Sequence, residues 1–335
     1  MKPNLPNSPI ATALALALFA VAAMARADVE DKITKSYEVA PGGQLSVEVD
    51  RGSIEVKTTD RASVDIEVIR KARGSEAKAG KVLKDHVVTT TQDGNKVLVR
   101  AEYQGPKSLG WFGGSPQFNV SYQITVPRKF EVNLKTAGGN IKVAELTGKT
   151  QVHTSGGNLT LEKIEGPVSG HTSGGNINVA GCRGQMDLHT SGGNLDLSEI
   201  EGDVSAKTTG GSIHAEQITG KTILKTSGGN IKLAGFKGSV EAKTSGGHIA
   251  AEVLGQPEGA CSFDTSGGNI NITLAGDVAV DVDARTSGGR VSSDFPVVAV
   301  LQGEPKKHER RGKINGGGPL LTAHTSGGNV RLEKK

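Results

Sequence analysis

The sequence predicts an all-β protein: a single-stranded parallel β-solenoid (a β-helix or β-roll) with a β-rich N-terminal cap. Three observations support this fold class. The motif TSGG returns at a fixed spacing, apolar and polar residues alternate between its copies, and 47 of the 335 residues are glycine. Alternation is the period of a β-strand, and a fixed repeat indicates that successive copies stack in one register.

Residues 1–27 have the pattern of a secretory signal peptide. Lys2 precedes an apolar run at 10–24, and Ala25-Arg26-Ala27 matches a small-residue cleavage site. The run is shorter than the ~20 residues that span a bilayer, and no other stretch is longer. We therefore expect cleavage near Ala27 and an extracytoplasmic protein, in the periplasm, on the cell surface or secreted, without a transmembrane segment.

Residues 28–135 are predicted to form the N-terminal cap, with degenerate first coils. The stretches GGQLSV and RGSIEV repeat the strand pattern nine residues apart. A cap would cover the unpaired strand edge at the end of a solenoid, which otherwise invites aggregation. The predicted elements are strands at 63–69, 97–103 and 118–126 and a short helix at 76–88.

The loop GPKSLGWFGGSP, inside the cap, carries Trp111 and Phe112 next to glycines. Exposed aromatic side chains on such a loop could anchor a binding partner. The alternative is that both pack over the first coil as part of the cap.

Residues 136–295 carry the regular repeat. The first six intervals between copies are 18 residues, and the next three are 21, 21 and 39. An interval that stays the same over seven successive copies predicts that each copy contacts the next in the same register, as in a solenoid. The copies begin at Thr136, Thr154, Thr172, Thr190, Thr208, Thr226, Thr244, Thr265, Thr286 and Thr325.

Each 18-residue coil is interpreted as two nonapeptides, in which a glycine is followed by two apolar residues in alternation. With the Thr of TSGG as position 1, the apolar positions 6, 8, 15 and 17 are expected to point inward from two facing sheets. A three-sided β-helix also fits 18 residues per coil, but it needs apolar residues every six positions rather than every nine. Position 11 is predicted to add a buried column of Leu146, Ile164, Cys182, Ile200, Ile218, Phe236 and Leu254.

The TSGG turns are interpreted as building elements, with ligand binding as the alternative. Glycine at positions 4 and 13 permits a positive φ or a close approach of two backbones. Thr at position 1 and Asn at position 5 are expected to form ladders in which stacked hydroxyls and amides bond from coil to coil.

Residues 296–324 are predicted to be a loop insertion, and residues 325–335 the last partial coil. The loop carries the basic cluster KKHERR at 306–311. This cluster is expected to be a solvated loop, or else a contact to an anionic surface. Short strands at 297–301 and 319–322 could flank it.

The N-terminal segment, the openings PGGQLSVEV and GSIEV, and the serial TSGGNI units together resemble an uncharacterised bacterial family of β-strand-repeat proteins. It is a domain of unknown function whose members are often labelled candidate adhesins. The resemblance covers the chain after residue 27. It implies an extracytoplasmic β-solenoid and transfers no catalytic residues.

Position 18 of successive coils is basic or titratable. By alternation from the inward position 17, these side chains are expected to point outward and to form one column, a candidate binding surface. Its three histidines are a weak candidate for a zinc or copper site, and a row of solvated side chains is the alternative. The residues are His153, His171, His189, Lys207, Lys225 and Lys243.

Several partners and groups are disfavoured by composition. A formal net charge of +4 and an aromatic content of 3% do not indicate a nucleic-acid partner. The turns lack the Asp residues with which calcium-binding β-rolls hold their ions. Cys182 and Cys261 fall at different coil positions four units apart, so we expect two buried free thiols rather than a disulfide.

These observations favour a non-enzymatic, exported cell-envelope protein. It would be a monomer without a cofactor, acting as an interaction scaffold or adhesin-like module for a protein or surface component. One alternative is a ligand- or metal-responsive envelope sensor that uses the His/Lys column, and a third is a polysaccharide hydrolase or lyase. No nucleophile, base and orienting acid share a register, so no catalytic residue is assigned.

Overall fold

The computed structural model describes residues 28–105, 118–299 and 307–335. The predicted signal peptide, residues 1–27, and the pair Trp111 and Phe112 lie outside the described residues. The described part is nearly all β, with 29 strands and one α-helix. That helix is too short and too polar to cross a membrane. The all-β class predicted from the sequence is confirmed.

The N-terminal part contains the helix and the first seven strands. The strands predicted at 97–103 and 118–126 are confirmed to within one residue, whereas the strand predicted at 63–69 continues to Arg73. The predicted helix ends at Asp85 because the chain enters a strand at His86. The elements are β1 (Asp28–Glu38), β2 (Gly43–Val49), β3 (Ser53–Thr59), β4 (Ser63–Arg73), α1 (Glu76–Asp85), β5 (His86–Asp93), β6 (Lys96–Tyr103) and β7 (Phe118–Pro127).

The TSGG repeats form short strands on either side of each turn. They are β8 (Phe130–Thr136), β9 (Ile141–Ala144), β10 (Thr150–Thr154), β11 (Leu159–Glu162), β12 (Val168–Thr172), β13 (Ile177–Ala180), β14 (Met186–His189), β15 (Leu195–Glu201), β16 (Val204–Lys207), β17 (Ile213–Thr219), β18 (Thr222–Lys225), β19 (Ile231–Ala234), β20 (Val240–Thr244), β21 (Ile249–Val253), β22 (Cys261–Thr265), β23 (Ile270–Leu274), β24 (Val280–Thr286) and β25 (Val291–Ser293). Four more strands follow: β26 (Val298–Ala299), β27 (Glu309–Ile314), β28 (Leu320–Thr325) and β29 (Val330–Lys334).

The segment KKHERR is not the loop that the sequence predicts. From Glu309 onward it belongs to β27, which pairs antiparallel with β24. Gly312 and Ile314 are buried on this strand, so it has an inward side and covers the free edge of β24. Together with the two-residue strand Val298–Ala299, it ends this sheet, and charged residues at the edge of a sheet commonly prevent further pairing.

The strands form two long sheets of 14 and 15 strands that are mostly parallel. From β8 to β23 the chain alternates between the sheets, so each coil adds one strand to each of them. Neighbours pair in constant register: His153 lies opposite His171 in one sheet, and Leu159 lies opposite Ile177 in the other.

The first and last coils lie inside the stack rather than at its ends. The coil of β2 and β3 lies between the strands β6–β7 and β8–β9. The coil of β28 and β29 lies between β22–β23 and β24–β25. Antiparallel strands cover the outer ends, β1, β4 and β5 at one and β26 and β27 at the other. Each of these two coils is therefore held on both sides.

The core lies between the two sheets. The predicted position-11 column is buried from Leu146 to Phe236, with exposures between 0% and 4%. The prediction for Leu254 is wrong, because this side chain is 43% exposed. In that 21-residue unit β21 runs for five residues, so alternation buries Val253 and turns Leu254 outward.

The Thr and Asn ladders bond through the backbone, not by stacking of like side chains as predicted. The Thr154 hydroxyl donates to the carbonyl of Gly139 in the preceding coil at 2.9 Å and accepts the amide of Gly157 at 3.3 Å. The backbone N–H of Asn176 donates to the side-chain oxygen of Asn158 at 2.8 Å. Each turn is thus tied to the turn before it by hydrogen bonds that satisfy otherwise orphaned backbone groups.

Position 10, at the opposite bend, is left-handed in six coils. An L residue with a side chain pays about 1–2 kcal/mol to adopt this conformation, whereas glycine does not. The φ angles are 60° at Glu145, 53° at Lys163, 64° at Gly181, 53° at Glu199, 54° at Gln217 and 63° at Gly235.

Exchanging the residue type at this position should change stability in opposite directions in neighbouring coils. Glu199→Gly is expected to raise the free energy of unfolding by about 0.5–1 kcal/mol, since relief of strain exceeds the added entropy of the unfolded chain. Gly181→Ala is expected to lower it by a similar amount. Urea denaturation followed by circular dichroism measures both, and two changes of the same sign would contradict this explanation.

Candidate functional site

The six predicted position-18 residues lie on six consecutive strands of the 15-stranded sheet, from β10 to β20. Each faces the next directly, His153 opposite His171 at one end and Lys225 opposite Lys243 at the other. Lys135 on β8 extends the row, since it faces His153. We call these seven residues, Lys135, His153, His171, His189, Lys207, Lys225 and Lys243, the cation column. At ~4.8 Å per strand it is about 29 Å long.

The column points to solvent because the residues on either side of each member are buried. Val152 and Thr154, for example, enclose His153 in the sequence and face the core. Lys135, Lys207 and Lys243 are exposed. Among the described residues, one member of the column forms an ion pair: the Nζ of Lys225 lies 2.6 Å from a carboxylate oxygen of Glu241. Most of its positive charge is therefore available to a ligand.

A row of hydroxyl groups borders the cation column. It occupies position 2 of the TSGG turns, two residues after each column member from His153 to Lys243, and all six side chains are exposed. Cations and hydroxyl donors together suit an anionic ligand with oxygen acceptors. The row consists of Ser155, Ser173, Ser191, Thr209, Ser227 and Ser245.

The three histidines of the column do not converge on one point. The ring centroids of His153 and His171 are 6.5 Å apart, and those of His171 and His189 are 5.9 Å apart. Since ligands of one zinc ion lie about 2 Å from it, the outer two rings, two strand spacings apart, cannot share an ion. Among the described residues, no three His, Cys, Asp or Glu side chains are grouped so that they could hold a metal.

The pKa of His153 is lowered from the ordinary histidine value. Partial burial is the largest cause, followed by the neighbouring charges of Lys135 and His171. The lowered pKa favours the neutral form of this ring near neutral pH.

The column ends in a cluster of opposite charges. Lys243 faces Asp264, Asp264 faces His324, and His324 faces Arg285. Although burial opposes it, the hydrogen bonds and charge of Arg285 lower the pKa of Asp283 in this cluster. The sequence pattern does not reveal His324 as part of this row, because the residue is far along the chain from its neighbours and joins them only through the inserted last coil.

Comparison with known families identifies the fold. A family model described as Toastrack DUF4097 matches residues 43–333. The chain belongs to the Toastrack DUF4097 family. The resemblance inferred from the TSGGNI units is thereby confirmed. A search of curated proteins finds no match.

Solved structures similar to this Toastrack chain are remote in sequence. A candidate adhesin from Parabacteroides distasonis is 14% identical, with 91% of this chain and 97% of the other covered and a TM-score of 0.36. A candidate adhesin from Bacteroides fragilis is 12% identical, with coverages of 91% and 97% and a TM-score of 0.33. A candidate lipid-binding protein from Parabacteroides distasonis is 11% identical, with coverages of 90% and 96% and a TM-score of 0.32. Similarities this low carry no argument about the ligand.

The Toastrack chain also has a buried polar group in its N-terminal part, which the sequence pattern does not predict. His86 is 1% exposed, and its Nε2 lies 3.4 Å from the Tyr122 hydroxyl. Its ring meets the edge of Phe118 at a centroid distance of 5.1 Å. Burial lowers the pKa of His86 to about 4, against the opposing effect of Asp50.

Both cysteines are buried and free. Burial raises the pKa of the Cys182 thiol, and it raises that of Cys261 to about 11. Both side chains act as small apolar residues and take no part in the candidate site.

Proposed function

We propose that this chain is a non-enzymatic, exported, adhesin-like module that binds a linear anionic polymer of a cell envelope along the cation column. The supporting observation is the row of outward-facing lysines and histidines that the constant register creates. We further propose that the two sheets form a solenoid of 18-residue coils, each made of two nonapeptides, and that the resting protein is a monomer. Residues 1–27 would direct export, and the cap would occupy residues 28–135.

A polymer fits this surface better than a small anion does. The charges of the column are separated by whole strand spacings along the sheet. A small anion would meet only one or two of these lysines in water, where each exposed ion pair contributes little. A polymer with a charge on each repeat meets several cations at once, and the counterions that it releases favour the complex.

Removal of the three consecutive lysines should weaken polymer binding. The triple variant Lys207→Gln, Lys225→Gln and Lys243→Gln is expected to bind sodium polygalacturonate or sodium polyphosphate at least ten-fold more weakly than the parent in low salt. The logarithm of affinity should fall with the logarithm of salt concentration, with a slope smaller by about 2–3 in the variant. Isothermal titration measures both quantities, and the two probes distinguish carboxylate from phosphate ligands.

A matched control removes the same charge from other faces of the molecule. Lys142, Lys163 and Lys232 lie outside the 15-stranded sheet, on or next to the 14-stranded sheet. Replacing these three by Gln should leave affinity within two-fold of the parent after correction for net charge. If both triple variants lost the same affinity for the polymer, binding would depend only on net charge, and the proposal that the polymer binds along the column would be wrong.

A further inference from the structure

The last coil of the chain lies between two coils that come earlier in the sequence, and the sequence of the last coil does not specify this position. We call the space between those two earlier coils the slot. We call residues 320–334, which contain β28 and β29, the C-terminal coil. It pairs in parallel with β22 and β23 on one side and with β24 and β25 on the other. A turn through Asn315 and three glycines connects it to β27. Its neighbours on either side come from earlier in the chain and are consecutive in sequence.

The two neighbours could stack directly on each other. The interval from Thr265 to Thr286, across the slot, is 21 residues. The interval from Thr244 to Thr265 is also 21 residues, and these two coils are direct neighbours, with Thr244 opposite Thr265. An interval of this length therefore connects adjacent coils elsewhere in the same molecule. The length of the connection therefore does not force the coils of Thr265 and Thr286 apart, and they could be direct neighbours.

The residues on the two sides of the slot are also equivalent in pattern. Opposite Phe263, the C-terminal coil places Ala323, and Ala323 in turn faces Ala284. Opposite Ile270 it places Val330, which faces Val291. Without the C-terminal coil, Ala284 and Val291 would take the same places as Ala323 and Val330.

Hydrogen bonds and charges at the slot follow the same equivalence. The Thr325 hydroxyl donates to the carbonyl of Gly268 at 2.8 Å, and the Thr286 hydroxyl donates to that of Gly328 at 2.7 Å. With the slot closed, Thr286 would meet Gly268 in the same way. At the end of the column, Asp264 would then face Arg285 directly, which is a favourable pair of charges.

We infer that the C-terminal coil is an exchangeable element, which two copies of this chain can swap. Release of the coil lets β24 and β25 close onto β22 and β23, so the rest of the stack keeps its core. The released coil brings buried apolar side chains, Leu321, Val330 and Leu332 among them, into water. Insertion into the corresponding slot of a second copy buries them again, with the same contacts as in the single chain.

This exchange goes beyond the proposed polymer binding and does not depend on it. Two copies joined in this way would present two cation columns to one polymer, and the second contact would become intramolecular. A module that binds its ligand weakly in single copies would gain avidity from the pairing.

A disulfide trap tests whether the slot closes. Asn271, Arg331 and Ser292 form one outward row, with Arg331 in the middle. In the observed fold residues 271 and 292 are two strand spacings apart, about 9.6 Å and beyond disulfide reach. In the full chain carrying Asn271→Cys and Ser292→Cys, a disulfide is expected to form slowly and to make residues 320–334 sensitive to protease. The control Asn271→Cys with Arg331→Cys should form its disulfide fast and protect them.

Mixing tests whether copies exchange the coil. Full chains carrying only Asn271→Cys and only Arg331→Cys are incubated together in mild urea, diluted and oxidised. At least ten-fold more covalent heterodimer is expected than from Asn178→Cys mixed with Arg331→Cys, because Asn178 is equally exposed on β13 but does not face β29. Equal yields from the two mixtures, or a 271–292 disulfide that never forms while the 271–331 control does, would overturn the inference.

Discussion

Replacing Gly193 by alanine is expected to lower the free energy of unfolding by about 3 kcal/mol, one of the largest effects of any single substitution in the repeats. A Cβ atom at this residue would lie 2.0 Å from the carbonyl oxygen of Gly175 in the preceding coil and 2.4 Å from its carbonyl carbon. Both atoms belong to the backbone, which the neighbouring strands hold in place. Relief would require the two coils to move apart, at the expense of their hydrogen bonds and core contacts.

The adjacent glycine is a matched control. At Gly192 a Cβ would find its nearest neighbours at 3.7 Å, which is ordinary contact, and neither glycine has a positive φ. Gly192→Ala should therefore change the free energy of unfolding by less than about 0.5 kcal/mol. Urea denaturation of both variants followed by circular dichroism gives the comparison. Similar losses in the two would show that the TSGG glycines serve flexibility rather than close backbone approach.

The same contact explains why the repeats could be predicted from sequence. A glycine at position 4 is required in each coil by the coil before it, so the requirement is local and leaves a visible period. Alternation around it then indicates which side chains face the core, and from these the outward row of Lys207, Lys225 and Lys243 follows. Leu254 escapes the pattern because the extra residues of its unit shift the bend by one position.

The order of coils at the ends of the stack could not be predicted in the same way. The copies at Thr265, Thr286 and Thr325 carry the same motif, so pairing of 265 with either of the others satisfies every local rule. The structure places Thr325 between them, a choice made by contacts far apart in the chain, such as β27 on β24. His324 reaches the charged end of the column through this choice alone.

The left-handed backbone at position 10 and the burial of His86 could not be predicted from the sequence, for a different reason. Glu199 and Gln217 are poor formers of left-handed conformation, so nothing in their type signals the φ that the bend imposes. His86 lies in the N-terminal part of the chain, where no regular repeat relates its position to another. Its burial results from packing of β5, β6 and β7 against each other, which the sequence pattern does not specify.

The buried His86 predicts a loss of stability in mild acid. Burial lowers the pKa of His86 from 6.5 to about 4 in the folded protein, with Arg70 and Arg51 acting in the same direction and Asp50 against it. Above pH 6.5 the ring is neutral in both states and contributes nothing. As the pH falls through 6.5 toward 4, the unfolded chain gains a proton that the folded chain does not, so the free energy of unfolding falls.

The expected loss from this one ring is about 3 kcal/mol at pH 4 and about 2 kcal/mol at pH 5. His86→Phe keeps the aromatic contact with Phe118 and removes the titrating group. Between pH 7 and pH 4 the variant should therefore lose about 3 kcal/mol less of its free energy of unfolding than the parent loses. Tyr122→Phe, which removes the hydroxyl beside the ring but keeps the histidine, should retain most of the acid loss. Urea denaturation at pH 7 and at pH 4 measures these differences. The carboxylates that titrate in the same range contribute equally to parent and variants, so their effect drops out of the comparison. If the parent and the His86→Phe variant lose equal stability between pH 7 and pH 4, the folded protein accepts the proton at His86, which requires a partner for the cationic form of the ring.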